Sequence, residues 1–253
     1  MAAVNDAILE VKDLRVWFPI RKGVFARTVG HVKAVDGVSF TLRRGETLGV
    51  VGESGSGKST IARVVSGLQK PTGGSVVING RVSMVFQDPL GSLNPRMTVR
   101  ATLDEAVAHT ARRDGTAPDS PARLLEMVGL DASVLDKYPH EFSGGQRQRI
   151  CTARAIAAKP NLLICDEAVS ALDLSIRATV LDLLAELRER LSLSMMFITH
   201  DLGVVQKISD RIIVMNRGKI EEEGTCEQVL ANPSAAYTRY LMDAVPRIGK
   251  PLT

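Results

Sequence analysis

The sequence predicts an α/β fold in which a parallel sheet packs against helices and a helical segment is inserted between two α/β halves. Three observations carry this. Short apolar runs at 47–51 and 161–165 have the length and composition of buried parallel strands. Strand and helix periods alternate at both ends of the chain. Between those ends, over 97–157, the apolar spacing is that of helices.

In chain order, residues 8–16 alternate apolar and polar side chains and read as an edge strand. Residues 38–42 read as a second strand, with a turn at 43–46. The buried strand 47–51 ends at Gly52, and a helix over 58–68 follows, stopped by the proline and glycines of 71–74. Strands at 75–79 and 82–86 lead into the helical stretch, which a polar loop at 112–121 interrupts. Strand 161–165, helix 175–190, strand 194–198, helix 201–208 and strand 211–216 complete the alternation. There is no internal repeat and no low-complexity tract.

The 253 residues, 45% hydrophobic and 24% charged, suffice for one large domain or two small ones. A net charge of +4 spread along the chain reads as a solvated mixed-charge surface, so no nucleic-acid partner is expected. Cys151, Cys165 and Cys226 are odd in number and widely spaced, which argues against a disulfide framework or a CxxC metal site and for reduced thiols in a cytosolic setting. The first ten residues lack a basic region followed by an apolar run, so no signal peptide is expected. No stretch reaches the roughly 18–20 apolar residues of a membrane span. Work at a membrane would need spans supplied by other chains.

The chemistry starts at Gly52-Glu53-Ser54-Gly55-Ser56-Gly57-Lys58-Ser59, which fits G-x-x-x-x-G-K-[ST] and is followed by Thr60. Glycines let successive N–H groups turn inward around phosphates, and the next helix sets its N-terminus under the anion. Lys58 would reach the β- and γ-phosphates and the Ser59 hydroxyl would bind Mg²⁺. This loop alone leaves kinases, GTPases and ATPases open. Downstream, the apolar strand Leu162-Leu163-Ile164-Cys165 ends in Asp166-Glu167. Asp166 is placed to hold Mg²⁺, directly or through water, and Glu167 to orient and deprotonate an attacking water. Ser143-Gly144-Gly145-Gln146 opens a helical run containing Arg147, Arg149 and Arg154, a second set of small residues at a helix start that suits an anion.

The string Phe142-Ser143-Gly144-Gly145-Gln146-Arg147-Gln148-Arg149 resembles the signature of ABC ATPases, with Phe142 where leucine is usual. The resemblance extends from about Ile8 to Pro246. It implies a P-loop NTPase (RecA-like) core over about 1–96 and 158–225, with an N-terminal antiparallel β-subdomain. It also implies an α-helical subdomain over about 97–157 and a tail over about 226–253. Gln87 looks like the glutamine that touches Mg²⁺ or the attacking water. Ser170-Ala171-Leu172-Asp173 looks like the D-loop, preceded by Ala168-Val169 in place of the usual Pro-Thr. His200 resembles the switch histidine at the γ-phosphate, and Phe18 or its neighbour Trp17 the aromatic stacked on adenine. Segments 85–89 and 92–97, the opening 17–23, and the end from Pro233 through Tyr237-Thr238-Arg239-Tyr240-Leu241 to Pro246 resemble the peptide/nickel import branch.

That branch implies ATP and Mg²⁺ as ligands and two ATPase domains, like or unlike, sandwiching nucleotide head to tail. It further implies two permease subunits, an extracytoplasmic substrate-binding protein and a place on the cytoplasmic face of the cell membrane. A peptide is the expected cargo. Nickel or another solute, export, a soluble ABC protein and a small-molecule kinase are the alternatives. With only Cys226 near the end, no iron–sulfur cluster is expected.

Overall fold

A computed structural model describes residues 6–23, 27–115 and 119–244. In chain order the elements are β1 (Ala7–Lys22), β2 (Arg27–Arg43), β3 (Thr47–Val51), α1 (Lys58–Val65), β4 (Gly73–Ile78), β5 (Val82–Val85), α2 (Pro89–Ser92), α3 (Val99–Asp114) and α4 (Pro121–Met127). They continue as α5 (Gly144–Ala157), β6 (Leu162–Asp166), α6 (Leu174–Leu191), β7 (Ser194–Thr199), α7 (Leu202–Ile208), β8 (Arg211–Asn216), β9 (Lys219–Thr225), α8 (Cys226–Ala231) and α9 (Ala236–Asp243). The chain forms two compact units. One comprises Met1–Glu10, Thr41–Glu46 and Val77–Ile198, the other Val11–Phe40, Thr47–Val76 and Thr199–Thr253. No helix among the described residues is long and apolar enough to cross a membrane.

In the first unit, β5 pairs β6 and β6 pairs β7, both parallel, with Val82 opposite Leu162 and Leu162 opposite Ser194. Every residue of β6 and β7 is buried, which is why both read as continuous apolar runs rather than alternating ones. Helices α3, α4 and α5 start on hydroxyl caps: Thr98 takes the Ala101 N–H, Ser120 that of Arg123 and Ser143 that of Gln146. The arginines that crowd α5 serve the same satisfaction of chain ends. Arg147 Nε donates to Pro139 O at 2.8 Å, Arg149 Nη1 to Val128 O at 2.6 Å, and Arg154 Nη1 to Ser92 O at the end of α2. Those to Val128 and Ser92 meet carbonyls at the ends of short helices, while Pro139 O also accepts the Phe142 N–H at 3.4 Å.

In the second unit, β3 pairs β8 parallel and β8 pairs β9 antiparallel, with an irregularity between Val214 and Met215. A separate sheet, lying mostly in this unit, has the order β2-β1-β4. Strand β1 is therefore the middle strand and not the edge expected from its alternation. Alternation reports one buried face, whereas edge or centre depends on partners on both flanks. Thr72 ties the β4 side to β1, its N–H donating to Arg15 O at 2.7 Å.

Several boundaries moved. The helix expected over 58–68 ends at Val65, where the Ser66 N–H closes on Ala62 O and Gly67 turns at φ 78°. The strand expected over 75–79 begins two residues earlier, at Gly73, and stops at Ile78. Helix α3 runs into the loop expected at 112–121, reaching Asp114 before Gly115 caps it at φ 63°. Single 3₁₀ turns at Ala132–Val134 and Pro139–Glu141 add further breaks to the stretch expected to show helical spacing. The antiparallel strand β9 and helices α8 and α9 were not foreseen. Pro246 and the rest of 245–253 lie outside the described residues.

Candidate functional site

The second unit carries the loop 52–57 between β3 and α1. Lys58, the first residue of α1, is buried, and its ammonium donates to Gly52 O at 2.7 Å, Glu53 O at 2.8 Å and Ser56 Oγ at 3.4 Å. The loop thus curls around this ammonium through its own oxygens. Two of its glycines are dictated by packing. A Cβ at Gly52 would lie 2.2 Å from Met215 O, and one at Gly57 would lie 2.3 Å from Ala34 O, at φ 151° and 107°. A Cβ at Gly55 would meet nothing within 4 Å, although φ is +80°. Ser54 is exposed, Ser56 buried, and Ser59 and Thr60 half-buried in the first turn of α1.

In the same unit Trp17 is engaged. Its Nε1 donates to Asp36 Oδ1 at 3.1 Å, and Lys33 Nζ sits 4.4 Å above its ring. Phe18 is 40% exposed, the open ring of the two. His200, which follows β7 in the chain, is exposed, and Asp201 next to it caps α7 through the N–H groups of Gly203 and Val204.

The first unit brings Gln87 and Glu167 together: Gln87 Nε2 donates to Glu167 Oε2 at 3.0 Å. Asp166 closes β6 and is buried. Glu167 has φ 48°, a left-handed backbone costing an L residue about 1–2 kcal/mol. It is held there by its own N–H on Ile198 O at 2.9 Å and by its carbonyl, which accepts from Ser170 N and Ser170 Oγ. The strained turn sets where the side chain leaves the backbone, and the Gln87 amide holds the carboxylate.

Ser143 and Gln146 form a reciprocal capping box, Ser143 N–H to Gln146 Oε1 at 3.0 Å and Gln146 N–H to Ser143 Oγ at 3.3 Å. Gly145 is required by packing, since a Cβ would lie 2.5 Å from Ile176 Cγ2 of α6, whereas one at Gly144 would make ordinary contact with Leu172. Phe142 is buried, so the aromatic fills the place of leucine with apolar surface. Ala168 and Val169 are buried as well, and Asp173 precedes α6 without a side-chain cap bond. Burial lifts the Cys151 thiol to about 11 and that of Cys165 to about 12, so neither is a nucleophile near neutral pH.

Sequence reasoning missed the residues that brace these groups. Arg154 on Ser92 could have been suspected from the arginine-rich run, but nothing in the pattern names its acceptor. The contact of Tyr237 Oη with the Glu53 N–H, at 3.4 Å, joins positions far apart in the chain.

The family model for the ABC transporter matches residues 35–170. The chain belongs to the ABC transporter family and is an ABC ATPase. It is 48% identical to the oligopeptide transport ATP-binding protein AppF of Bacillus subtilis, over 97% of this chain and 80% of that protein. It is 43% identical to the dipeptide transport ATP-binding protein DppF of Escherichia coli, over 98% and 79%. Among solved structures, the ATP-binding cassette MJ0796, described as a dimer in a post-hydrolysis state with ADP and phosphate, matches with a TM-score of 0.73 at 25% identity, over 86% of this chain and 98% of that one. The ABC subunit cbiO1 of Clostridium perfringens matches with a TM-score of 0.74 at 25% identity, over 90% and 92%.

Proposed function

We propose that this ABC ATPase powers uptake of peptides, as one of two ATPase subunits working with two permeases and an extracytoplasmic binding protein at the cytoplasmic face of the membrane. The observation that supports the peptide branch is near-full-length similarity to AppF and DppF, whose names specify oligopeptide and dipeptide transport. A nickel or other solute importer is the second reading, favoured only by the breadth of the branch that the 85–97 and 233–246 segments resemble.

The chemistry assigned is ATP plus water to ADP plus phosphate. The N–H groups of 52–60 and the ammonium of Lys58 bind the phosphates, Phe18 faces the adenine, and His200 contacts the γ-phosphate. Ser59, Asp166 and Gln87 are the residues that the resemblance assigns to Mg²⁺. Their hard oxygen donors, a hydroxyl in a helix's first turn and a buried carboxylate, suit that ion, which would offset phosphate charge when bound. Glu167 accepts the proton of the attacking water. Its present bond from Gln87 holds the carboxylate's orientation. Ser143, Gly144, Gly145 and Gln146, with Asp173, serve the nucleotide bound by the opposing ATPase domain. The assigned division is one ATPase domain over 1–253, with a core over about 1–96 and 158–225, a helical part over about 97–157 and a tail.

The test is a pair of variants assayed for both ATP affinity and phosphate release. Glu167→Gln should bind ATP like the wild type and hydrolyse it about 10²–10⁴ times more slowly. Lys58→Ala should lose affinity. Wild-type turnover in Glu167→Gln would remove that residue from the mechanism.

A further inference from the structure

The peptide unit between Gly52 and Glu53 is held at both ends. Its carbonyl accepts from Lys58 Nζ at 2.7 Å, and its N–H donates to Tyr237 Oη at 3.4 Å. The first contact must loosen when Lys58 turns to a phosphate, but the second does not involve Lys58. Gly52, Gly55 and Gly57 all have positive φ, so this loop is backbone of unusual freedom, and an external contact on it restricts states that glycine would otherwise allow. We propose that Tyr237 is a positioning residue for the phosphate loop: its hydroxyl holds the Gly52–Glu53 peptide so that the loop meets a nucleotide already shaped. This rests on reading 52–59 as the nucleotide site.

The tyrosine is itself well fixed. Helix α9 lays Tyr237, Leu241 and Met242 against the buried cluster of Val51, Leu202, Val205, Ile212, Val214, Cys226 and Val229, so the end of β3 and the face of α9 share one core. The rings of Tyr237 and Tyr240 stack with centroids 6.3 Å apart. At the start of α9, Glu222 of β9 accepts from Ser234 N at 2.7 Å, Ser234 Oγ at 2.7 Å and Ala235 N at 3.1 Å. A carboxylate there gathers the N–H groups that a helix start leaves without partners and complements the helix dipole. Burial holds the Tyr237 hydroxyl above the ordinary value of 10.0, so it remains protonated throughout the neutral range and its oxygen stays a neutral acceptor.

The experiment measures equilibrium binding of ATP and of ADP, steady-state hydrolysis and thermal unfolding on the full chain. The proteins are the wild type, Tyr237→Phe, Glu222→Ala and the double variant, with Lys58→Ala as control. Tyr237→Phe keeps the ring in its pocket and removes only the acceptor. It should weaken both nucleotides about three- to tenfold, the range of one net hydrogen bond. It should raise KM for ATP with kcat unchanged, and lower the unfolding temperature of the nucleotide-free protein by no more than the few degrees that one hydrogen bond is worth. Glu222→Ala should weaken binding by loosening α9, and should weaken it no further in the Tyr237→Phe background. Wild-type affinity in Tyr237→Phe, or full additivity of the two substitutions, would overturn the proposal while leaving the nucleotide site intact. Failure of the wild type to bind ATP, or unaltered binding in Lys58→Ala, would instead overturn the reading of the loop on which it rests.

Discussion

The phosphate loop and the acidic turn solve opposite problems. The loop at 52–59 is shaped by backbone: its glycines abut the carbonyls of Met215 and Ala34, and its lysine is gripped by its own carbonyls. The turn at Asp166-Glu167 is shaped around one side chain, a carboxylate on a left-handed residue touched by the Gln87 amide. A loop made by backbone packing cannot be altered without disturbing fold and binding together. Removal of the single polar contact should cost rate alone.

The sharpest break of that comparison uses the glycines. Gly57→Ala puts a methyl group against a backbone carbonyl at unfavourable φ, so it should destabilise by about 2–4 kcal/mol and abolish detectable ATP binding. Gly55→Ala has open space and only the φ penalty, and should lose about 1 kcal/mol in chemical denaturation. Equal losses at the two positions would mean that the loop is not set by its walls. On the other side of the comparison, Gln87→Ala should slow turnover roughly tenfold, about 1.4 kcal/mol, with ATP affinity unchanged, as read from kcat and KM. A matching loss of affinity there would erase the contrast.

Smaller effects refine it. Arg154→Met removes a charged donor from Ser92 O and should reduce stability by about 1.5–3 kcal/mol, seen as a lower denaturant midpoint. Docking of α9 should follow pH through Glu222. Burial alone would raise its pKa, but the nearby Thr238 hydroxyl and the hydrogen bonds from Ser234 and Ala235 outweigh this and hold it below the ordinary 4.5. The carboxylate's contribution is therefore complete above pH 4.5 and lost as pH falls through the lower folded value, which hydrogen exchange in α9 would register. The smallest change concerns the thiols. Cys151 and Cys165, at about 11 and 12, should resist alkylation at pH 8 until the protein is unfolded.

Much of this was legible because it is local. Buried strands such as β6 and β7 announce themselves as apolar runs, and the loop 52–60 is specified by consecutive residues. The Asp166-Glu167 pair follows its strand directly. What was not legible depends on partners distant in the chain. The central place of β1 needed strands on both flanks. Strand β9 was hidden by Glu221-Glu222-Glu223, whose alternate burial shows only once β8 lies beside it. The capping role of Arg147, Arg149 and Arg154 and the reach of Tyr237 to Glu53 have acceptors that no period reveals. Gly145 reads from sequence as an anion-binding glycine, yet its lack of a side chain is already demanded by Ile176.

The most direct measurement of the central claim is phosphate release by the complex of this chain with its partner ATPase, permeases and binding protein in liposomes, with and without peptide. The expected result is ATP hydrolysis that rises when peptide is supplied outside and disappears in Glu167→Gln. Hydrolysis indifferent to peptide but stimulated by another solute would contradict the assignment to peptide uptake.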